Sequence, residues 1–138
     1  MKKIWKTLLL AVCLTMVLSV SVFAENRYTC ILEGKPGNTY KTSSLAYMKY
    51  CRISGNKVIV KGQMGKIDRK TYSHVKRKTY KKKKALKLAK TAKFYTEGID
   101  GKDRISKKKF AKYLRLGGPI GLDFVFKGKK IVKMILHA

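Results

Sequence analysis

The chain has 138 residues, with 34 Lys+Arg against 7 Asp+Glu and a formal net charge of +27. That length suits one domain rather than two. The sign of the charge excludes an acidic disordered chain, and 11 Gly with 2 Pro exclude a collagen-like repeat.

Residues 1–24 read MKKIWKTLLLAVCLTMVLSVSVFA. Lys2, Lys3 and Lys6 form a basic head, an apolar run follows from Leu8 to Val22, and Val22-Phe23-Ala24 is an acceptable cleavage site, so the segment reads as an export signal. The run is shorter than the roughly 20 residues that span a bilayer, which disfavours a retained anchor. Cys13 does not make a lipoprotein signal, because Val12 before it is not small. The expected boundaries are a cleaved leader, 1–24, and a single small β-rich secreted domain, 25–138. Removing 24 of the 138 residues leaves 114, and the charge falls only to +24 because the leader holds three lysines and no acid. An export signal implies an oxidising compartment, so the remaining even pair, Cys30 and Cys51, reads as a disulfide. Neither cysteine has a neighbouring His that would make it a nucleophile.

Taken in order, Arg27 to Leu32 reads as a short strand, and Gly34, Pro36 and Gly37 mark the turn after it. Leu45 to Ile53 is aromatic and β-prone. Gly55-Asn56 then separates it from Lys57-Val58-Ile59-Val60-Lys61, a hairpin signal. Val58, Val60 and Met64 share one face at period two and are expected to cover a core.

Residues 66–93 form a basic block in which 13 of 28 positions are Lys or Arg and Asp68 is the one acid. Lys76 to Lys84 is densest, with seven basic residues in nine. Arg69-Lys70-Thr71-Tyr72 recurs as Arg77-Lys78-Thr79-Tyr80, and the even spacing would put both copies on one face of an extended strand. Residues 84–94 fit two readings. Ala85, Leu88, Ala89 and Ala92 have helical spacing, whereas Leu86 and Leu88 alternate with Lys87 as in a strand. The neighbouring Thr and Tyr residues favour the strand.

The clearest helix comes next. Ser106 is the expected N-cap, with Ile105 as a staple onto Phe110. Phe110, Ala111 and Leu114 form its apolar stripe, and Gly117-Gly118-Pro119 ends it. Lys107 to Lys109 oppose the helix dipole in the first turn. A second hairpin closes the chain: Leu122, Phe124 and Phe126 alternate with Asp123 and Val125, Lys127-Gly128-Lys129 turns, and Val132, Met134 and Leu136 alternate with Lys133 and Ile135. The expected fold is mainly β with one α-helix (α+β), as a small OB-like five-stranded barrel or a two-hairpin sheet.

The segments ISGNKVIVKGQMGKI, KALKLAKTAKFY, ISKKKFAKYL and GLDFVFKGKKIVKMIL resemble the short lysine-rich exported proteins of clostridial Gram-positive bacteria, a group without an established activity. The likeness spans roughly residues 45–138. It implies secretion and a small β-rich domain, and no catalytic residue.

No chemistry-bearing motif stands out. His74 and His137 are far apart, and no His, Cys, Asp and Glu spacing suits zinc. Gly98 to Ile105 has the look of a calcium loop, but the alignment puts Gly98 and Lys109 where Asp and Glu are needed. Ser43, Ser44, Ser54, Ser73 and Ser106 lie in no nucleophile-elbow setting. No metal, cofactor or catalytic residue is therefore expected. The basic block is the remaining feature of size, and its field concentrates polyanions. With only six Arg, it favours diffuse phosphate binding over fork-shaped recognition. The expected function is non-enzymatic binding, at the cell envelope or outside the cell, of an anionic polymer such as wall teichoic acid, acidic glycan or nucleic acid. The expected contacts are Lys70, Lys76, Arg77, Lys78, Lys81, Lys82, Lys83 and Lys84, with Tyr72 and Tyr80 stacking between the charges. Three other readings stay open. These are a membrane-active cationic protein built on Lys81 to Phe94, an enzyme using Asp100, Asp103 or Asp123, and charge that only keeps the domain soluble.

Overall fold

A computed structural model describes residues 24–34 and 41–137. The expected leader lies outside the described residues except for Ala24, as do Pro36 and Gly37 of the first expected turn. The described elements are β1 (Glu25–Leu32), β2 (Tyr47–Ser54), β3 (Lys57–Ile67), β4 (His74–Gly98), β5 (Gly101–Ile105), α1 (Lys107–Leu116), β6 (Ile120–Lys127) and β7 (Lys130–His137).

Three tight hairpins set the local order. β2 and β3 pair up to Ser54 opposite Lys57, so Gly55-Asn56 is the two-residue turn, and Gly55 takes φ +58. A positive φ at the first turn position alone follows the type II′ pattern, which matches strand twist. β6 and β7 close at Lys127 opposite Lys130 around Gly128-Lys129. The third hairpin joins β4 to β5 with Gly98 opposite Gly101, in the stretch that resembled a calcium loop.

All seven strands form one mixed sheet in the order β2-β3-β1-β6-β7-β4-β5, with additional pairings of β2 to β1 and β3 to β4. The expected count was five. The two beyond that count are β1, the short strand read at Arg27 to Leu32, which pairs with β6, and β5, five residues that start at the Gly98–Gly101 turn; β2 also runs parallel to β1. β1 is antiparallel to β6 along its whole length, from Glu25 opposite Lys127 to Leu32 opposite Ile120. It also meets β3 at Thr29 opposite Gly65. Followed through β6, β7, β4 and β3, neighbouring strands lead back to β1.

The core is apolar, with Phe110, Phe124, Met48, Met64, Leu122, Ile131 and Met134 fully enclosed. Val58, Val60 and Met64 all point into it, as period two requires. The helix begins where its sequence signals place it: Ser106 Oγ accepts from Lys109 N at 3.1 Å. Phe110 and Leu114 face inward, and Phe110 meets Phe94 at a centroid distance of 5.2 Å. Arg52 Nη1 donates to Leu114 O at 3.2 Å and ties the helix to β2.

Two expectations about side-chain direction change. In β7 the register slips between Val125 and Phe126 of its partner, and the extra residue is Val132. A one-residue bulge moves the inward set, so Ile131, not Val132, joins Met134 and Leu136 in the core. In β6, Asp123 and Val125 are buried along with the three residues they alternate with.

The Cys30–Cys51 bridge is not made; both are free, buried thiols. Parallel pairing sets Ile31 opposite Tyr47 and Leu32 opposite Met48, which leaves Cys51 several positions along β2 from the level of Cys30. Cys30 Sγ instead donates to Leu122 O at 3.6 Å.

Gly62 is the tightest backbone approach in β3. It has φ +130, and an added Cβ would lie 2.7 Å from both Lys49 N and Tyr47 O. A Gly62→Ala substitution therefore combines strain with backbone overlap. It should destabilise the fold by about 2–3 kcal/mol in urea unfolding, and a neutral result would show that β2 can move away.

Candidate polyanion-binding face

β4 delivers the basic block as one 25-residue strand, and it settles residues 84–94 as strand: Leu88 and Phe94 are buried in the core. The strand is not evenly pleated. Against β3, one extra residue falls between Val75 and Lys78, where Lys76 takes φ +50, and two more fall between Tyr80 and Lys84. Against β7, three extra residues separate Leu88 from Lys93. Each bulge resets which side chains share a face, so the lysines do not form two tidy rows.

The ten expected contact residues divide accordingly. The first Arg-Lys-Thr-Tyr copy is not on a strand. Residues 68–73 form a turn in which Asp68 Oδ1 accepts from Lys70 N at 2.9 Å and Tyr72 N donates to Asp68 O at 2.8 Å. Tyr72 has φ +54 and is 78 % exposed. Tyr80 is opposite Gly62, half-buried against the core, and its hydroxyl pKa is raised by burial and by Tyr28 nearby. The two tyrosines therefore do not make a matched stacking pair. The eight-residue spacing fails because the first copy lies in the turn that precedes β4.

Arg77 is a clamp rather than a free contact. Its Nε donates to His74 O at 3.0 Å and its Nη2 to Ser43 O at 2.6 Å. Lys78 is opposite Met64 and exposed, and its Nζ lies over aromatic rings, 4.5 Å from the Tyr28 centroid and 5.4 Å from that of Phe126. Lys83 Nζ is 4.1 Å from the Tyr50 centroid, with Arg52 5.1 Å from the same ring. Such contacts are worth about 0.5–1 kcal/mol each at exposed sites. Lys70, Lys76, Lys81, Lys82 and Lys84 are exposed, and their side chains make no hydrogen bond, ion pair or ring contact among the described residues. These five are the open cations of the expected set.

The sequence missed a charge network elsewhere. Asp123, 2 % exposed, accepts from Arg27 Nε at 2.6 Å and from His137 Nε2 at 2.8 Å; the other ring nitrogen, Nδ1, is 3.1 Å from Glu97 Oε2. The available signal was a single acid inside the apolar run Leu122 to Phe126, since such an acid needs a cation partner. Burial on its own would raise the Asp123 pKa, but hydrogen bonds from His137, Thr29 and Arg27, with the His137 charge, outweigh it and hold the carboxyl below its usual range. The bond to Asp123, reinforced by Glu97, raises His137. His74 goes the other way: burial, then Arg77, keep it low, and its Nδ1 accepts from Ala46 N at 2.7 Å. Burial raises Cys51 to about 12 and Cys30 well above the normal thiol value, so both are poor nucleophiles.

Of the acids considered for catalysis, Asp100 and Asp103 line a hollow of about 470 Å³ with Glu97, Tyr113 and Leu116, whereas Asp123 serves the network above. Among the described residues no group of His, Cys, Asp and Glu is placed to hold a metal ion, and no helix is long and apolar enough to cross a membrane. No known protein family, curated protein or solved structure matches the chain.

Two outcomes follow. Ellman's reagent should titrate Cys30 and Cys51 only after denaturation, and a folded protein with neither thiol free would restore the bridge. For the network, His137 contributes stability fully below the ordinary His pKa near 6.5 and loses it as pH rises through its elevated folded value. Asp123 contributes above about pH 4 and loses it as pH falls through its depressed folded value. His74 opposes His137, since the folded state favours its neutral form and loses stability as pH drops below about 6.5. Asp123→Asn should cost about 2–3 kcal/mol at pH 5.5 and less at pH 9, where His137 is neutral, with the half-exposed Arg27 screened at both. In NMR titration His137 should lie above the usual value and His74 below it, and the variant should lower His137 most, with a smaller drop at His74, which also feels the Asp123 charge.

Proposed function

We propose that the chain is an exported basic domain that binds anionic extracellular polymers, and wall teichoic acid above all, through the lysine face of β3 and β4. The observation that carries this reading is the set of open cations Lys76, Lys81, Lys82 and Lys84 on β4, joined by Lys70 on the preceding turn. The clearest acid–base network, around Asp123, belongs to β1, β6, β7 and the far end of β4 and does not neutralise these lysines. Unpaired like charges on neighbouring positions repel, and a polyanion relieves that repulsion while releasing its own counterions. An OB-like barrel reading is supported by the return of strand neighbours to β1 and by α1 standing between β4–β5 and β6. Export is supported by the leader-like N-terminus and by the resemblance to lysine-rich clostridial exported proteins, and wall association is the reading that the open lysines add.

A membrane-active reading of Lys81 to Phe94 is less well supported. That segment is a strand whose Leu88 and Phe94 are spent in the core, which leaves no apolar helical face to insert into lipid.

Changing Lys70, Lys76, Lys81, Lys82 and Lys84 together to Gln tests the face without touching Arg77 or Lys78. Binding to purified wall teichoic acid should weaken by at least tenfold at about 100 mM salt, and the wild type should bind less tightly as salt increases. Unchanged binding by this variant would assign the lysines to solvation alone.

A further inference from the structure

The bulges of β2 and β4 coincide. β2 carries an extra residue, Lys49, between Met48 opposite Gly62 and Tyr50 opposite Lys61. β4 carries its two extra residues between Tyr80 opposite Gly62 and Lys84 opposite Val60, a stretch that begins at Lys81. β2 and β4 are thus both irregular opposite the Lys61–Gly62 step, where Gly62 takes its positive φ and leaves no room for a Cβ. Bulges re-aim side chains, and here they bring Lys49, Lys61 and Lys81 from three adjacent strands to the rim of one groove of about 370 Å³. Lys41 also reaches the rim, and its Nζ is 2.8 Å from Glu33 Oε1, so the one acid among the described residues of the groove already has a partner. Three cations are left facing one small volume. Adjacent strands with like charges at one level are destabilised, and an anion in the groove would reverse that.

We infer that this groove is a discrete subsite for a phosphodiester-linked polyol or sugar segment. The inference rests on the polyanion reading above and names its ligand class. The lysines suit phosphate oxygens as point charges. Groups suited to hydroxyls line the same groove: the Gln63 amide, 3.4 Å from Thr79 Oγ1, and the Glu33 carboxylate. Nucleobases fit less well. Stacking needs an open ring, and the two tyrosines among the described residues of the groove, Tyr47 and Tyr80, are half-buried, with Tyr47 Oη already accepting from Thr42 N at 2.8 Å. The exposed ring, Tyr72, does not line the groove.

The experiment compares two triple variants that remove equal charge: Lys49→Ala, Lys61→Ala, Lys81→Ala in the groove, and Lys108→Ala, Lys112→Ala, Lys129→Ala on the helix and the last turn. Probes are a short synthetic poly(glycerol phosphate), an oligothymidine of matched charge and an uncharged oligosaccharide, measured by calorimetry at about 150 mM salt. The groove variant should lose about tenfold in affinity for the glycerol-phosphate oligomer, the control variant less than about twofold, and oligothymidine should bind more weakly throughout. Equal losses in both variants would overturn the groove while leaving the general electrostatic reading intact. Absence of poly(glycerol phosphate) binding by the wild type would overturn both, and tighter binding of oligothymidine would replace the ligand class. Amide shifts of Gly62 and Lys49 on titrating the wild type give a test that needs no variant: perturbation at these two positions supports the subsite, and silence there alongside binding rejects it.

Discussion

The fold depends on one buried carboxylate in a chain with few carboxylates to spend. Asp123 lies in the middle of β6 and takes hydrogen bonds from Arg27 of β1 and His137 of β7, while His137 in turn reaches Glu97 of β4. The β6–β7 hairpin is therefore cross-linked to β1 and β4, which lie far from it in sequence, through the Asp123–His137 pair. Burying a carboxylate is costly unless its partners are already in place. This makes the register of β1, β6 and β7 a matter of charge as well as of apolar pattern, since a slip of one residue would leave Asp123 without cations. The remaining positive charge lies away from this centre and is held partly by aromatic rings, as with Lys78 over Tyr28 and Lys83 over Tyr50.

The lysine strand shows how a long β-strand can present charge without simply paving a sheet face. Its register breaks coincide with its densest basic stretch, and each break assigns neighbouring lysines to different tasks. Arg77 pins the chain before β2, Lys78 and Lys83 cover rings, and the exposed lysines between and beyond them face solvent. Composition alone treats these residues as equivalent, and the backbone does not.

Local chemistry made much of the fold readable. Gly55-Asn56 and Gly128-Lys129 are turns because glycine accepts positive φ there, and Ser106 and Gly117 bound the helix as cap and stop. The inward faces of β3 and α1 follow directly from their periods. What escaped was whatever depends on pairing between distant segments. Nothing near Val132 announces a bulge, because the slip is defined only by its partner Phe126. Glu97, Asp123 and His137 are brought together by the β4–β7 register, which sets Glu97 opposite His137, and by β6 lying alongside. Cysteine parity pointed to a bridge that the structure does not contain. The same limit applied to the candidate site, where the basic residues were visible but the groove at Gly62 needed three strands in place.

The long pairing of β1 with β6 has a temporal meaning. Leu32 and Ile120 are neighbours in the sheet, yet almost the whole domain lies between them in the chain. The three hairpins close locally and form early, whereas β1 must wait, with Cys30 and Leu32 exposed, until β6 is available. Such non-local closure is slow relative to hairpin formation. Until that pairing forms the chain is strongly cationic, and its charge repulsion keeps copies apart. The same lysines that suit a polyanion in the finished domain thus act as a solubilising device while the first strand is still searching for its partner.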